Sequence, residues 1–180
     1  MISISDSIQL KTITIKDHSK LVLLLQRIYP PAYKHLWLNE DCSFYFNKFY
    51  SKENLEIELS NQNAEYYFVL YNSNRVGILR FVHHTPFEDL PRRKSTYLNR
   101  IYLGKEAQGK GVAQQLFSWT EHCVKQNGGD LIWLKVMDSQ KQALRFYKKQ
   151  GYKQGEPTNL DFELIHPSLR GMYTMYKLIF

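Results

Sequence analysis

Six consecutive residues, Gln108-Gly109-Lys110-Gly111-Val112-Ala113, carry the densest chemical signal in the chain. Two glycines stand one residue apart where an extended segment, Ser95 to Leu103, gives way to a helical one. Glycine takes left-handed backbone angles at no steric cost and lets an anion approach the main chain closely. The first amides of a helix have no internal partner and lie at the positive end of its dipole. Such a loop is a phosphate cradle made of main-chain N–H groups, and Gln108 and Lys110 add side-chain donors. A glycine turn that opens a helix and binds nothing uses the same residues. The GxxxxGK[ST] spacing of a P-loop is absent, and so is a complete GxGxxG.

A second stretch follows about thirty residues later. Leu131 to Val136 is a compact apolar run, and Ser139 to Gln150 has helical spacing with Ala143, Phe146 and Tyr147 on related faces, closed by Gly151. A tyrosine phenol, with a pKa of about 10, can donate to a leaving thiolate or orient it. A packed aromatic beside Phe146 is the plainer use of the same side chain.

The elements that must position these residues follow from periodicity. Ile8 to Ile15 alternates as a strand, Asp17 is a plausible N-cap, and Leu21, Leu24, Leu25 and Ile28 have helical spacing that Pro30-Pro31 ends. A short helix is expected near Ser43 to Phe49, and another after Ser51. Tyr66 to Tyr71 and Arg75 to His83 form a hairpin around Asn72-Ser73-Asn74. Then come a strand at Ser95 to Leu103, a helix from about Gly109 to Gln126, the Leu131 strand and the Ser139 helix. A loop-rich stretch from Gly155 to Gly171 leads to a last strand, Met172 to Ile179. The hairpin argues against a fully parallel sheet, and the later strand-helix-strand unit implies one parallel pair.

The two stretches together resemble the GNAT superfamily of acetyl-CoA-dependent N-acetyltransferases. Gln108 to Ala113 matches its pyrophosphate motif (Arg or Gln, any two, Gly, any, Gly or Ala), and Ala143 to Tyr152 matches A-x-x-F-Y-x-x-x-G-[FY]. The motifs span roughly residues 95 to 153, about a third of the chain, and the first half matches in element order alone. The resemblance implies one N-acetyltransferase domain over residues 1–180. Its fold is α+β (mixed α/β), with a central, mostly antiparallel sheet, a splayed parallel strand pair, and helices on both faces. It implies that pantetheine pairs with the backbone of Ile101, Tyr102 and Leu103, an amide near Leu103 holding the carbonyl oxygen. It places the pyrophosphate on the amides of Gln108, Gly109, Lys110, Gly111, Val112, Ala113 and Gln114. Gln140 stands where relatives carry Asn, Ala143 and Phe146 line the same helix, and Lys149 could reach a phosphate. Tyr147 matches the family tyrosine near the cofactor sulfur and is the implied catalytic residue.

The base is not assigned. Relatives often carry a carboxylate on the strand before the glycine loop, whereas Tyr97 and Asn99 stand here. His83, His84 or water are the alternatives. The aromatic stretch Tyr33, His35, Trp37, Phe44 and Tyr45 would neighbour the acceptor or pack under a loop, and Glu40 and Asp41 could attract a cation. The implied acceptor is a small primary amine attacked directly in a ternary complex. Leu98 to Gln114 also resembles bacterial members acting on polyamines. A peptide or protein amine, or an acyl-CoA-binding module with impaired catalysis, are the alternatives. No metal is implied, and the molecule is a monomer or a homodimer through Met172 to Ile179.

Composition sets outer limits. The 180 residues carry 24 Lys+Arg against 17 Asp+Glu, a formal charge of +7. That excess suits phosphorylated partners, but it is scattered, with Arg92-Arg93-Lys94 and Lys148-Lys149 its densest runs, so no nucleic-acid partner is expected. No apolar run approaches the ~18 residues that span a bilayer, and Met1 to Lys11 lacks a signal-peptide pattern. Cys42 and Cys123 are isolated; Cys123 is expected in the core. The expected address is the cytoplasm, with both thiols reduced.

Overall fold

The computed structural model describes residues 1–180. Its strands are β1 (Ile2–Ser3), β2 (Ile8–Thr12), β3 (Ala64–Tyr71), β4 (Asn74–Val82), β5 (Ser95–Leu103), β6 (Leu131–Met137), β7 (Lys153–Asn159) and β8 (Gly171–Leu178). Its helices are α1 (His18–Ile28), α2 (Pro30–Tyr33), α3 (Ser43–Phe49), α4 (Lys52–Ser60), α5 (Val112–Gln126) and α6 (Lys141–Lys149). The strands hydrogen-bond in the order β1-β2-β3-β4-β5-β6-β8-β7, and the β5–β6 pair is parallel. This is the expected mixed α+β fold with a mostly antiparallel sheet. The chain divides into two compact units, Met1–Phe81 with Arg100–Trp119, and Val82–Asn99 with Thr120–Phe180.

In the first unit β2 pairs antiparallel with β3, Ile8 opposite Tyr71 through Thr12 opposite Tyr67. Asn72 and Ser73 turn the next hairpin with φ of 46° and 64°, the left-handed pair that matches strand twist. Leu21, Leu24, Leu25 and Ile28 put one face of α1 into a core shared with Tyr50, Leu55, Tyr66, Phe68, Leu70 and Ile78. Pro30 and Pro31 do not only end α1. They open α2, where a missing N–H costs nothing at the first helical positions.

In the second unit β6 pairs antiparallel with β8 along its whole length, Leu131 opposite Leu178 through Met137 opposite Met172. Ile132, Leu134 and Val136 bury one face of it completely, while the other face carries half-buried Trp133 and exposed Lys135 between Leu131 and Met137. The parallel β5–β6 ladder covers only Ser95 to Tyr97 against Leu131 to Trp133. The stretch from Gly155 to Gly171, expected to be loop-rich, contains most of β7, which begins two residues before it. Its sequence, KQGEPTN, has no apolar alternation, so periodicity does not reveal it; the ladder to β8 holds it. Pro157 sits where the register shifts, at a sheet edge, the place a strand tolerates proline.

Candidate active site

The glycine loop lies wholly in the first unit. β5 ends at Leu103, and the Gly104 N–H donates to Val76 C=O at 2.7 Å, fastening the strand end to β4. A tight turn, Lys105–Ala107, buries Ala107. Gly109 and Gly111 then take φ of 69° and 73°. These angles exclude both from the helix, so α5 opens at Val112 and not at Gly109. Its first ladder bond runs from Gln115 N–H to Gly111 C=O at 3.1 Å. The amides of Gly111, Val112, Ala113 and Gln114 therefore precede the ladder and have no helical acceptor. Gln108, Lys110 and Gln114 are exposed and Val112 is buried beneath them as the anchor. A Cβ at Gly109 would meet no atom within 4 Å. The loop is thus an open, donor-rich main-chain surface, which fits a pyrophosphate. Arg27 pairs with Glu106 and also donates to Arg75 C=O at 2.9 Å, so the one carboxylate in the preceding turn is neutralised by a cation.

The second motif lies in the second unit. Gln140 caps α6 with its backbone, Leu144 N–H donating to Gln140 C=O at 3.0 Å, while its side chain makes no capping bond. Leu144 is the buried residue of α6; Ala143, Phe146 and Tyr147 are half-buried and Lys149 is exposed. Tyr147 meets Phe146 and Tyr152 with ring centroids 5.7 and 6.1 Å apart. Burial pushes its phenol up to about 12, so it stays protonated through the neutral range.

The two positions that lack the expected carboxylate, Tyr97 and Asn99, and the two histidines named as alternatives lie in different settings. Tyr97 stacks on Trp133 at 4.2 Å. His83 is buried with its Nδ1 on the Thr96 hydroxyl at 3.2 Å, and His84 is exposed with φ of 54°, so one ring faces in and one out. Both stand beside the start of β5, while the motif residues Ile101 to Leu103 end it. Asn99 is half-buried.

The aromatic stretch closes around Tyr29, which stacks on Tyr33 at 4.7 Å and on Tyr45 at 4.4 Å and meets Tyr102 edge-on at 5.6 Å. Trp37 joins Phe44 and Tyr45, and its indole N–H donates to the Tyr29 hydroxyl at 3.2 Å. The Tyr45 and Tyr102 hydroxyls are 2.7 Å apart. His35 is exposed. Glu40 pairs with Lys34, and the Asp41 carboxyl, held below its ordinary value by the Ser43 hydrogen bond, caps α3 at 2.8 Å. Both acids expected to draw a cation are engaged locally. The thiols also trade places: Cys42 is buried and Cys123 half-buried, because Cys123 sits one position off the Leu116, Thr120, Val124 stripe of α5.

Residues 24–152, well over half the chain, match the family model described as the acetyltransferase (GNAT) family. The chain belongs to this family. Among curated GNAT relatives, the aminoalkylphosphonate N-acetyltransferase of Salmonella typhimurium is 25% identical over 103 residues, 57% of this chain and 66% of that protein. The chain spans about 65% of the length of the curated relatives it matches. Among solved structures, the PaiA N-acetyltransferase from Thermoplasma acidophilum in complex with coenzyme A superposes with a TM-score of 0.72 at 21% identity, covering 96% of this chain and 99% of that one. The spermidine N-acetyltransferase from Vibrio cholerae in complex with CoA and spermine gives 0.70 at 16% identity, with 97% of each chain covered. The GNAT fold therefore extends across the whole chain, including the N-terminal half that carries no motif.

The GNAT motifs do not point to a charged cluster in the first unit, two buried arginines around a half-buried glutamate. Arg100 on β5 donates to both carboxylate oxygens of Glu58 on α4 at 2.7 Å, and Arg80 on β4 lies 3.7 Å from the same carboxylate. A signal is present. Arg80 interrupts the apolar run Ile78-Leu79-Arg80-Phe81, and a charge inside a buried strand demands a partner.

Proposed function

We propose that this GNAT chain transfers the acetyl group of acetyl-CoA to a primary amine of a small molecule by direct attack in a ternary complex. One observation carries the reading: two left-handed glycines expose the unladdered amides of α5 as an anion cradle. Gln108 through Gln114 would hold the pyrophosphate, and the backbone of Ile101, Tyr102 and Leu103 the pantetheine. Gln140, Ala143 and Phe146 would complete the cofactor surface. When bound, acetyl-CoA supplies the thioester.

The chemistry asked of the chain is definite. An alkyl amine with a pKa of about 10.4 is protonated at neutral pH, and its nucleophilic form lies about 4–5 kcal/mol uphill. Alignment supplies several kcal/mol of the remaining barrier. The Leu103 amide would polarise the carbonyl. As the C–N bond forms and the C–S bond breaks, the amine loses a proton to water. Tyr147 donates a hydrogen bond to the departing sulfur. Its phenol at about 12 lies well above an ordinary thiol at about 8.5, so it stabilises the thiolate without surrendering its proton outright. The acceptors to test first are spermidine, spermine and aminoalkylphosphonates, the amines for which the relatives above are named.

Calorimetric titration with acetyl-CoA, followed by assay of thiol release with those amines, tests the reading. A one-to-one complex and amine-dependent release are expected. A folded sample that binds no acetyl-CoA would end it. In Tyr147→Phe, kcat should fall about 100-fold with acetyl-CoA affinity nearly unchanged; unaltered turnover would remove Tyr147 from the reaction.

A further inference from the structure

β5 is held in two different ways along its length. Its first three residues, Ser95 to Tyr97, are laddered to β6, and that ladder stops at Tyr97. The later residues include Ile101, Tyr102 and Leu103, the backbone proposed to hold the cofactor. Two side chains on this segment, Arg100 and Tyr102, lie two residues apart and so share one face of the strand. Each is gripped by a residue of a neighbouring helix. Glu58 of α4 takes Arg100 with both oxygens at 2.7 Å, and Tyr45 of α3 takes the Tyr102 hydroxyl at 2.7 Å. The guanidinium of Arg100 is further enclosed by the Tyr50 and Phe49 rings, at 5.0 and 5.9 Å from their centroids.

Stability alone does not account for this arrangement. A buried ion pair contributes about as much as a well-packed apolar pair of the same volume, because desolvation cancels most of the attraction. A short charge-assisted contact, one guanidinium nitrogen held between both carboxylate oxygens, instead fixes where the arginine head can sit. Resting on the acetyl-transfer reading, we propose that Glu58 and Tyr45 are positioning residues. Acting through Arg100 and Tyr102, they set the height of the β5 segment whose amides align the thioester for attack. The pyrophosphate cradle at Gln108 to Gln114 lies beyond this segment and would carry most of the cofactor's affinity, so the two clamps bear more on the alignment of the thioester than on binding.

The test is a split between rate and affinity. In Glu58→Gln, kcat should fall about tenfold or more while the acetyl-CoA dissociation constant stays within about twofold. In Tyr45→Phe, kcat should fall about three- to tenfold, the loss of one hydrogen bond. Leu55→Ala is the control for plain destabilisation, since Leu55 is the buried residue of α4 and takes no part in either clamp's hydrogen bonds. It should lower the unfolding midpoint and leave kcat within about twofold. If Glu58→Gln does not fold, Tyr45→Phe decides alone. If kcat in the clamp variants falls no further than in Leu55→Ala, or falls only in step with acetyl-CoA affinity, the positioning role is overturned while acetyl transfer stands. If the parent protein acetylates no amine, both readings fall together.

Discussion

The glycine loop and the aromatic wall behind β5 lie in the same unit and are built from opposite materials. The loop offers main chain: its glycines are exposed in left-handed conformations, and the amides that follow precede the helical ladder. The wall offers side chains: Tyr29 and Trp37 are almost fully buried, and rings from Tyr29, Tyr33, Trp37, α3 and β5 meet with centroids 4.4 to 6.0 Å apart. Backbone recognition needs particular dihedral angles at particular spacings, and few residues besides glycine supply them. Ring packing needs only volume and rough shape, which many combinations of Tyr, Phe and Trp satisfy. A cofactor shared by a family can be read by the first kind of site. An acceptor that differs among relatives is suited to the second.

The largest expected effect breaks the loop and spares the wall. Gly111→Asp forces a side chain onto a φ of 73° and puts a carboxylate at the anion cradle. The space beside Gly111 is open: the nearest neighbour of an added Cβ would be Gln115 Nε2 at 4.0 Å, so charge does more here than bulk. Acetyl-CoA affinity should drop about 100-fold, roughly 2.7 kcal/mol, while stability falls by the smaller cost of a left-handed non-glycine residue, about 1 kcal/mol. Calorimetry and thermal melting separate the two, and undiminished affinity in the folded variant would displace the cradle.

Gly77→Ala acts where both regions meet the strand they share. A Cβ there would lie 2.2 Å from the Tyr102 carbonyl oxygen and 2.7 Å from Leu103 Cδ2. Backbone cannot yield like a flexible side chain, so β5 must shift at a cost of about 1–3 kcal/mol. Denaturant titration should show that loss, and turnover should fall with it. Tyr29→Phe reverses the first experiment. It removes the acceptor of the Trp37 indole bond and should cost about 1 kcal/mol of stability while leaving acetyl-CoA affinity alone.

The chain's own residues make much of this legible, unevenly and for physical reasons. The motif strands and helices carry strong periodicity, so the bounds of β5 follow to the residue and those of α6 to within two. The two glycines stand out, but periodicity starts α5 too early, because left-handed φ at Gly109 and Gly111 cannot be told from helix by composition. β7 escapes because an edge strand bonded on one side can be wholly polar. Glu58 and Arg100 escape because each looks like an ordinary surface charge until they are brought together across 42 positions; Arg80 interrupts an apolar run and so signals a buried charge, but nothing local says that its partner is Glu58, 22 positions away.

The smallest effect concerns the helix that delivers Tyr29 to the wall. Asp17 precedes α1 and is buried; its carboxylate accepts from the Thr14 hydroxyl at 2.9 Å and the Thr14 N–H at 3.2 Å. Burial alone would raise its pKa, but those two bonds with Lys11 and Lys20, each 3.8 Å away, hold it below the ordinary value. A carboxyl depressed in the folded state adds stability that is fully present above its unfolded pKa of about 3.9 and is lost as pH falls through the folded value. Asp17 stands at the N-cap position expected from the sequence, but its side chain makes no capping bond to α1; Asp17→Asn should therefore cost about 1 kcal/mol at pH 7 through the weakened bonds to Thr14, and the gap between variant and parent should close below about pH 4. Urea titrations at several pH values measure that gap. A gap independent of pH would mean that Asp17 serves α1 by shape and hydrogen bonding alone. The wall would then rest on packing throughout, and its contrast with the charge-sensitive loop would be sharper still.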